Sequence, residues 1–492
     1  MSNSHNEQHP QGQSTTDGIS IDAKRLNEIF YQQKKAYQRH PYPNLNQRLQ
    51  RLENLKKILY KYQDDFAQAI SQDYGNRSID ETKIGEVLTA IENCNYYIKN
   101  LDDLMKVSKR SVATIHQPAK AWVEYQPLGV VGIIAPWNYP LFLSLSPLIC
   151  TLAAGNHAII KLSSLSKNFA KVLSKALSEA FPDDVVSVVF GETLNDHFTH
   201  LPFDKIIFTG SGDVGKKVMR AAAENLTPVL LELGGKSPTI VHEDMPLEDA
   251  AQRIAIGKLW NAGQTCVAPD YLFLPRGKTQ DFIQAYKAQV QQLYPSIADN
   301  PDYTSIVSEK HYQRLQDYLT DAKAQGAEVI DLYPEQNQAL LKEKHTISPT
   351  LVRHVSPDML LMKEEIFGPI LPIMEYDDID DVIMFINARP HPLALYYFDF
   401  DNKDVAEYIR RNTHSGHFGW NQVLTHVAQE DLPFGGVGAS GMGKYHGEEG
   451  FYSLSHARSV MSYSKFYALK YIAPPFSRKI HEIVYKTLLR KS

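Results

Sequence analysis

The chain has 492 residues, with 51 lysines and arginines against 56 aspartates and glutamates, a formal net charge of −5 and 43% hydrophobic residues. That length accommodates more than one unit with its own buried core, and charges of both signs, interleaved along the chain, build no surface for nucleic acid. Three cysteines without a CxxC or metal-type spacing, and 18 histidines without HExxH, exclude a disulfide framework and give no metal ligand set.

Residues 1–20 are polar, rich in Ser, Gln, Asn and His, and lack the apolar core that export requires; they read as a disordered segment on a cytoplasmic protein. From about Ile21 to Lys106 the leucines recur at helical spacing, as in Arg48 to Leu55, and predict helices that cover a sheet. Arg110 to Leu128 turns basic and alternates through Ala121 to Tyr125, which predicts strand. Pro127 to Asn156 then carries no charge. Its length alone would pass for a membrane span, but Pro136, Asn138, Pro140 and Pro147 break it. A buried strand over Gly129–Ala135, a loop over Pro136–Pro140 and a buried helix over Leu141–Ala154 account for it. Ligands of open α/β sheets bind outside strand C-termini, which is where this reading puts Asn138.

The alternation continues with strands at His157–Lys161, Val185–Phe190 and Lys205–Thr209 and helices at Ser166–Phe181 and Val214–Asn225. The pattern predicts a doubly wound parallel sheet, and a second alternating set from about Ala251 onward predicts another α/β unit. The tail Tyr471–Ser492 is basic and mildly amphipathic, too short and charged to span a membrane, and is expected to dock on the protein's own surface.

Two stretches carry chemistry. Cys266 sits in the small-residue turn Asn261-Ala262-Gly263-Gln264-Thr265-Cys266, as an accessible thiol requires, whereas Cys94 and Cys150 lie in apolar helical runs and read as core. Glu232 stands between Leu231 and Leu233 just before Gly234-Gly235, where burial raises a carboxyl into the range of a general base. Between strand and helix, Gly210-Ser211-Gly212-Asp213-Val214-Gly215 is a literal G-x-G-x-x-G, and its spacing to Glu232 fits the rule of about 20 residues for a ribose-binding acid. A cysteine hydrolase would need a base, usually His, beside the thiol, and the Cys266 stretch supplies none.

The runs Leu231 to Pro238 and Asn261 to Tyr271, together with Ala135 to Pro140, Phe208 to Ser211, Glu365 to Pro369 and Leu432 to Gly436, resemble the NAD(P)-dependent aldehyde dehydrogenase superfamily in its own order. Arg389 to Tyr396 and Gly438 to Gly447 look class 3-like, nearest the coniferyl aldehyde dehydrogenase branch. The resemblance implies an α/β fold: a doubly wound parallel-sheet cofactor domain over 21–108 and 128–234 and a second α/β catalytic domain over 235–436. It also implies a small β oligomerisation arm, with bridging elements at 109–127 and 437–465, a basic tail over 466–492, and a homodimer. It assigns Cys266 as nucleophile, Asn138 and the Cys266 backbone N–H as oxyanion donors, and Glu232 as the base that hydrolyses a thioester, not as a ribose ligand. Trp137, Lys161, Ser164, Gly210, Ser211, Gly215, Glu365 and Phe367 are the implied contacts to NAD or NADP, with Phe367 beside the nicotinamide. Ser164 stands where this branch tends to carry glutamate, which implies that NADP⁺ is used at least comparably with NAD⁺. The implied substrate is a small-molecule aldehyde, aromatic, coniferyl-type or medium-chain, against which Trp420 would stack or, equally, pack the core.

Overall fold

The computed structural model describes residues 22–191 and 194–489, so the expectation for residues 1–20 lies outside the described residues. The chain opens with helices Ala23–Arg39 and Leu45–Tyr74, each begun by a side-chain cap: Asp22 accepts from Arg25 N, and Asn44 forms a capping box with Gln47. A third helical stretch runs from Ile79 to Leu104, and within it Lys83–Leu88 is π-helical. Two strands of an arm follow, β1 (Ser108–Arg110) and β2 (Lys120–Pro127), paired antiparallel.

The charge-free stretch folds as read: β3 (Val130–Ile134), a loop, and the fully buried helix Phe142–Ala153. Then come β4 (His157–Lys161), β5 (Val186–Val189), β6 (Lys205–Thr209) and β7 (Val229–Glu232). All five run parallel in the order β7-β6-β3-β4-β5, with crossover helices Lys167–Ala180 and Gly212–Ala223. Parallel strands covered on both faces need continuous apolar runs, and β3 and β4 supply them.

A second sheet begins just past Gly235. It contains β8 (Pro238–Val241), β9 (Tyr271–Pro275), β10 (Glu328–Asp331), β11 (Thr350–Arg353), β12 (Ile370–Tyr376), β13 (Ala394–Phe398) and β14 (His417–Trp420). Their order is β10-β11-β12-β9-β8-β13-β14, parallel except for β10. The segment 437–465 contributes to two places. The short β15 (Gly441–Met442) pairs antiparallel with β7, so that Gly441 faces Glu232, and β16 (Ser455–Ser462) returns to the arm beside β2. The physical reason is the edge: without β15, β7 would leave a row of backbone groups unpaired beside the site.

The tail also departs from expectation. Its helix Lys479–Leu488 buries only His481 and leaves Ile483 and Leu488 exposed, because its contacts run to the preceding turn, where His481 Nε2 meets Ile472 O at 3.0 Å. No helix among the described residues is long and apolar enough to cross a membrane.

Candidate active site

The turn that carries Cys266 is strained and tightly held. After the helix Leu247–Leu259 three successive residues, Asn261, Ala262 and Gly263, adopt left-handed backbone with φ of 53°, 50° and 74°. Such conformations cost of order 1–3 kcal/mol each outside glycine and persist only where surroundings over-determine them. A Cβ on Gly263 would sit 2.4 Å from Gly368 O, so this position takes glycine only. The buried Asn261 amide donates to Asn138 O at 3.0 Å and to Gln264 O at 3.1 Å. The Gln264 amide bridges Ser305 O and Val307 N, at 3.0 Å each. Tyr139 and Thr265 share a hydroxyl bond of 2.7 Å, and Tyr396 donates to Val267 O at 2.6 Å.

Asn138 follows β3 and is buried. Its carbonyl accepts from Tyr74 Oη at 2.9 Å, Arg77 Nη1 at 3.0 Å and Asn261, and its Nδ2 donates to Gln264 O at 3.1 Å, leaving a second N–H on that amide. Arg77 is itself held by Glu81 and, at 2.9 Å, by Glu86. Glu86 lies in the π-helical turn, and its other oxygen accepts from Leu141 N and Phe142 N, capping the helix that follows the Asn138 loop. Neither Tyr74, Arg77 nor the π turn was singled out from sequence; an arginine fully buried among carboxylates leaves no periodic signature.

Glu232 ends β7 and is 2% exposed, and neither carboxylate oxygen is held by a side chain among the described residues. Burial pushes its carboxyl well above the usual range, opposed by Lys444 and by the nearby backbone N–H of Gly436. The carboxylate lies against the bare Cα of Gly435, where an added Cβ would stand 3.1 Å from Oε1. Burial, followed by the Glu365 and Glu232 carboxylates, pushes the Cys266 thiol up to about 12.

Two cavities meet at Cys266, which alone among the described residues lines both. The first, of about 230 Å³, lies outside the C-terminal ends of β3, β6 and β7 and is lined by Trp137, Asn138, Gly210, Ser211, Glu232, Glu365 and Phe367 among others. His311 and Arg314, which sequence reading missed, complete its wall. The Phe367 ring stands edge-on to Trp137 at 5.5 Å, and Arg314 holds the Glu365 and Ile366 carbonyls at 3.1 and 2.8 Å. Glu365 accepts one bond, from Gly235 N at 3.2 Å, and burial with nearby Asp270 raises it to about 8. Gly234 makes room for that carboxylate, since a Cβ there would meet Glu365 Oε2 at 2.3 Å.

Lys161 ends β4 and Ser164 follows it, exposed, on the same sheet edge but outside this cavity. Gly215 lies one turn inside the helix Gly212–Ala223, where a Cβ would strike Leu233 at 2.8 Å. The second cavity, of about 260 Å³, is apolar: Phe142, Leu143, Trp260, Val423, Leu424 and Phe434 are among its walls, and Ile84 and Gly85 of the π turn reach its rim. Trp420 is not among them; its indole donates to Asp399 O at 3.0 Å.

The aldehyde dehydrogenase family model matches residues 4–460, and the chain belongs to that family. It is thus an enzyme that oxidises aldehydes. Among curated relatives, a protein described as a probable coniferyl aldehyde dehydrogenase from Pseudomonas aeruginosa is 47% identical over 470 residues, covering 95% of this chain and 97% of the relative. Among solved structures, a Staphylococcus aureus AldH described as substrate-bound superposes with a TM-score of 0.88 at 36% identity, covering 95% of this chain and 99% of that one. PnpE in complex with nicotinamide adenine dinucleotide gives a TM-score of 0.83 at 26% identity, covering 93% of each chain.

Proposed function

We propose that this enzyme oxidises an apolar aldehyde, aromatic and of the coniferyl type in preference to a short aliphatic one, to the carboxylic acid through a thioester on Cys266, with NAD⁺ or NADP⁺ as cofactor. The observation that carries the reading is that Cys266, alone among the described residues, opens on both a polar and an apolar cavity. The polar cavity fits a dinucleotide. Ser211 precedes a helix whose first N–H groups carry no side-chain cap, an arrangement suited to a pyrophosphate. The second oxygen of Glu365 is open to a ribose hydroxyl, Phe367 and Trp137 offer ring faces to the nicotinamide, and Lys161 and Ser164 stand at the adenosine end of the same sheet edge. When bound, the cofactor supplies the two-electron oxidant and a cationic ring.

The chain's own residues do the rest. Once the Cys266 thiol has passed its proton to water in the polar cavity, the sulfur attacks the carbonyl carbon, and the resulting oxyanion accepts hydrogen bonds from the free N–H of the Asn138 amide and from the Cys266 backbone. Asn138 can do this without moving, because three donors on its carbonyl fix the backbone that carries it. After oxidation the carbonyl remains as a thioester. Glu232, held by no side chain and raised by burial, takes a proton from water, whose oxygen adds to the thioester; sulfur leaves and the acid is released.

Residues 21–108 and 128–234 form the dinucleotide-binding part and 235–436 the catalytic part. In the same reading the arm of β1, β2 and β16 meets a second copy of the chain in a homodimer, and the protein works in the cytoplasm, a setting that three free thiols support. The deciding experiment is Glu232→Gln with rapid mixing. A burst of reduced cofactor followed by slow turnover supports the assignment; a raised cofactor KM without a burst would return Glu232 to a ribose-binding role.

A further inference from the structure

The segment 360–367 carries Glu365 and Phe367, yet it has little regular structure of its own: one helical turn, Leu360–Lys363, then irregular chain as far as β12. Its backbone groups therefore need partners elsewhere. Five of the six carbonyls from Leu361 to Ile366 accept from a cationic side chain. Lys236 Nζ donates to Leu361 O at 2.8 Å and to Glu364 O at 2.9 Å, Arg389 donates to Met362 O at 2.8 Å, and Arg314 holds the Glu365 and Ile366 carbonyls. Phe367 closes the segment with φ of 51°, a left-handed backbone that a bulky residue keeps only where its surroundings over-determine it.

Lys236 is also half of a buried ion pair. Its Nζ donates to Asp270 Oδ2, so that the three N–H groups of the ammonium meet three acceptors, and the other Asp270 oxygen accepts from Ile366 N at 2.9 Å. The Asp270 backbone N–H is held in turn by Ser237 O at 2.8 Å. Lys236 stands on the same stretch as Glu232, Asp270 on the same stretch as Cys266, and next to Lys236 the Gly235 N–H reaches Glu365 Oε1 at 3.2 Å. The stretches of the base and the nucleophile are thus tied at one point to the segment that carries Glu365 and Phe367. Neither Lys236 nor Asp270 is among the walls of the polar cavity.

We infer that Lys236 and Asp270 are positioning residues for hydride transfer: by fixing the segment 360–367 against the Cys266 stretch, they set where the nicotinamide ring stands relative to the carbon bound to sulfur. This rests on the function proposed above, in which Glu365 and Phe367 hold the cofactor. Hydride transfer is the step most exposed to a shift, since reacting atoms must lie about 3–3.5 Å apart and about 1 Å of misplacement can cost about 10²-fold. Acylation of Cys266 by an activated ester, and release of the acid through Glu232, need no cofactor and no such alignment.

The test is Asp270→Asn, which keeps the shape but sets an amide N–H against either Lys236 or Ile366 N. In the cofactor-free enzyme, hydrogen exchange over 360–367 should quicken by about tenfold, the equivalent of one hydrogen bond, and stay unchanged over Ala135 to Pro140. In single-turnover mixing with saturating cofactor, formation of reduced cofactor should slow by about 10–100-fold. An aldehyde deuterated at the formyl carbon should show an isotope effect on that slowed step, while cofactor-free hydrolysis of p-nitrophenyl acetate keeps the wild-type rate. The double variant Lys236→Met/Asp270→Asn, which leaves no charge of the pair unmatched, carries the same expectations if Asp270→Asn does not fold. Unchanged exchange over 360–367, an unchanged single-turnover rate, a slowed step without an isotope effect, or an equal loss of ester hydrolysis overturns the inference. Failure of the reading beneath it looks different: Cys266→Ser would keep its aldehyde oxidation, or Glu365→Gln its affinity for reduced cofactor in a fluorescence titration.

Discussion

The polar cavity beside Cys266 is walled by short runs such as Ala135 to Pro140, Phe208 to Ser211, Leu231 to Pro238 and Glu365 to Pro369, each contributing several neighbouring residues. The apolar cavity on the other side of the same sulfur is walled by residues scattered from Ile84 to Phe434, most of them aliphatic or aromatic. The difference follows from the interactions involved. Hydrogen bonds and charge stabilisation need particular atoms at particular places, so a chain that makes them carries a fixed local wording. Apolar burial needs volume and shape, which many residue combinations supply equally well.

If the two sides are as distinct as this, substitutions should separate them. Cys266→Ser, at the shared residue, should abolish oxidation with every aldehyde and both cofactors, because an alkoxide is far harder to form than a thiolate. Mass spectrometry after incubation with aldehyde and oxidised cofactor should find the acyl adduct on Cys266 only; an adduct on Cys94 or Cys150 would remove the premise. Asn138→Ala should lower kcat by about 10²–10³-fold, the usual effect of losing one oxyanion donor. An unchanged kcat would mean that other groups hold the oxyanion.

On the apolar side, Val427→Asp should raise KM for an aromatic aldehyde by about tenfold or more, since a desolvated polar group without a partner costs roughly 1–3 kcal/mol. The cofactor KM should stay put; movement of both would show that the cavities are coupled. On the polar side, Ser164→Glu brings a carboxylate toward the 2′ position, where two like charges about 4 Å apart repel by roughly 1 to 4 kcal/mol. The ratio of kcat/KM for NADP⁺ over NAD⁺ should fall by about tenfold per 1.4 kcal/mol, with aldehyde selectivity unchanged.

The smallest effect expected concerns acidity. Cys266 is raised first by burial and then by the Glu365 and Glu232 charges, so removing one charge lowers it. Glu365 titrates at about 8, hence it is neutral below that pH and repels the thiolate only above it. Glu365→Gln should therefore speed iodoacetamide alkylation of Cys266 by a few-fold above about pH 8 and leave it nearly unchanged below.

The same contrast explains what could be read in the sequence. The parallel strands His157–Lys161 and Lys205–Thr209 were legible to the residue, because a strand buried on both faces has an apolar centre, Ala-Ile-Ile and Ile-Ile-Phe here, with polar residues only at its ends. The proposed polar residues were legible as motifs. Trp260 was passed over, six positions before Cys266, while Trp420 drew attention for its unusual neighbourhood; only the packing tells which indole lines a cavity. The Arg77 clamp was hidden for a related reason: its partners Glu81 and Glu86 look like an ordinary charged helix face until the helix is seen to be buried.

That helix, Ile79–Leu104, has a wide turn at Lys83–Leu88, the geometry that accommodates one residue more than an α-helix would. The extra residue is absorbed within that turn, so Asn93, Cys94, Tyr97 and Leu101 beyond it keep facing the core. A chain one residue shorter there would close to regular α pitch without turning those residues away; what it would displace is the turn itself, with Glu86, which caps two backbone N–H groups, and Ile84 and Gly85, which line the apolar cavity. The wide turn therefore serves the wall of the site and not the helix beyond it.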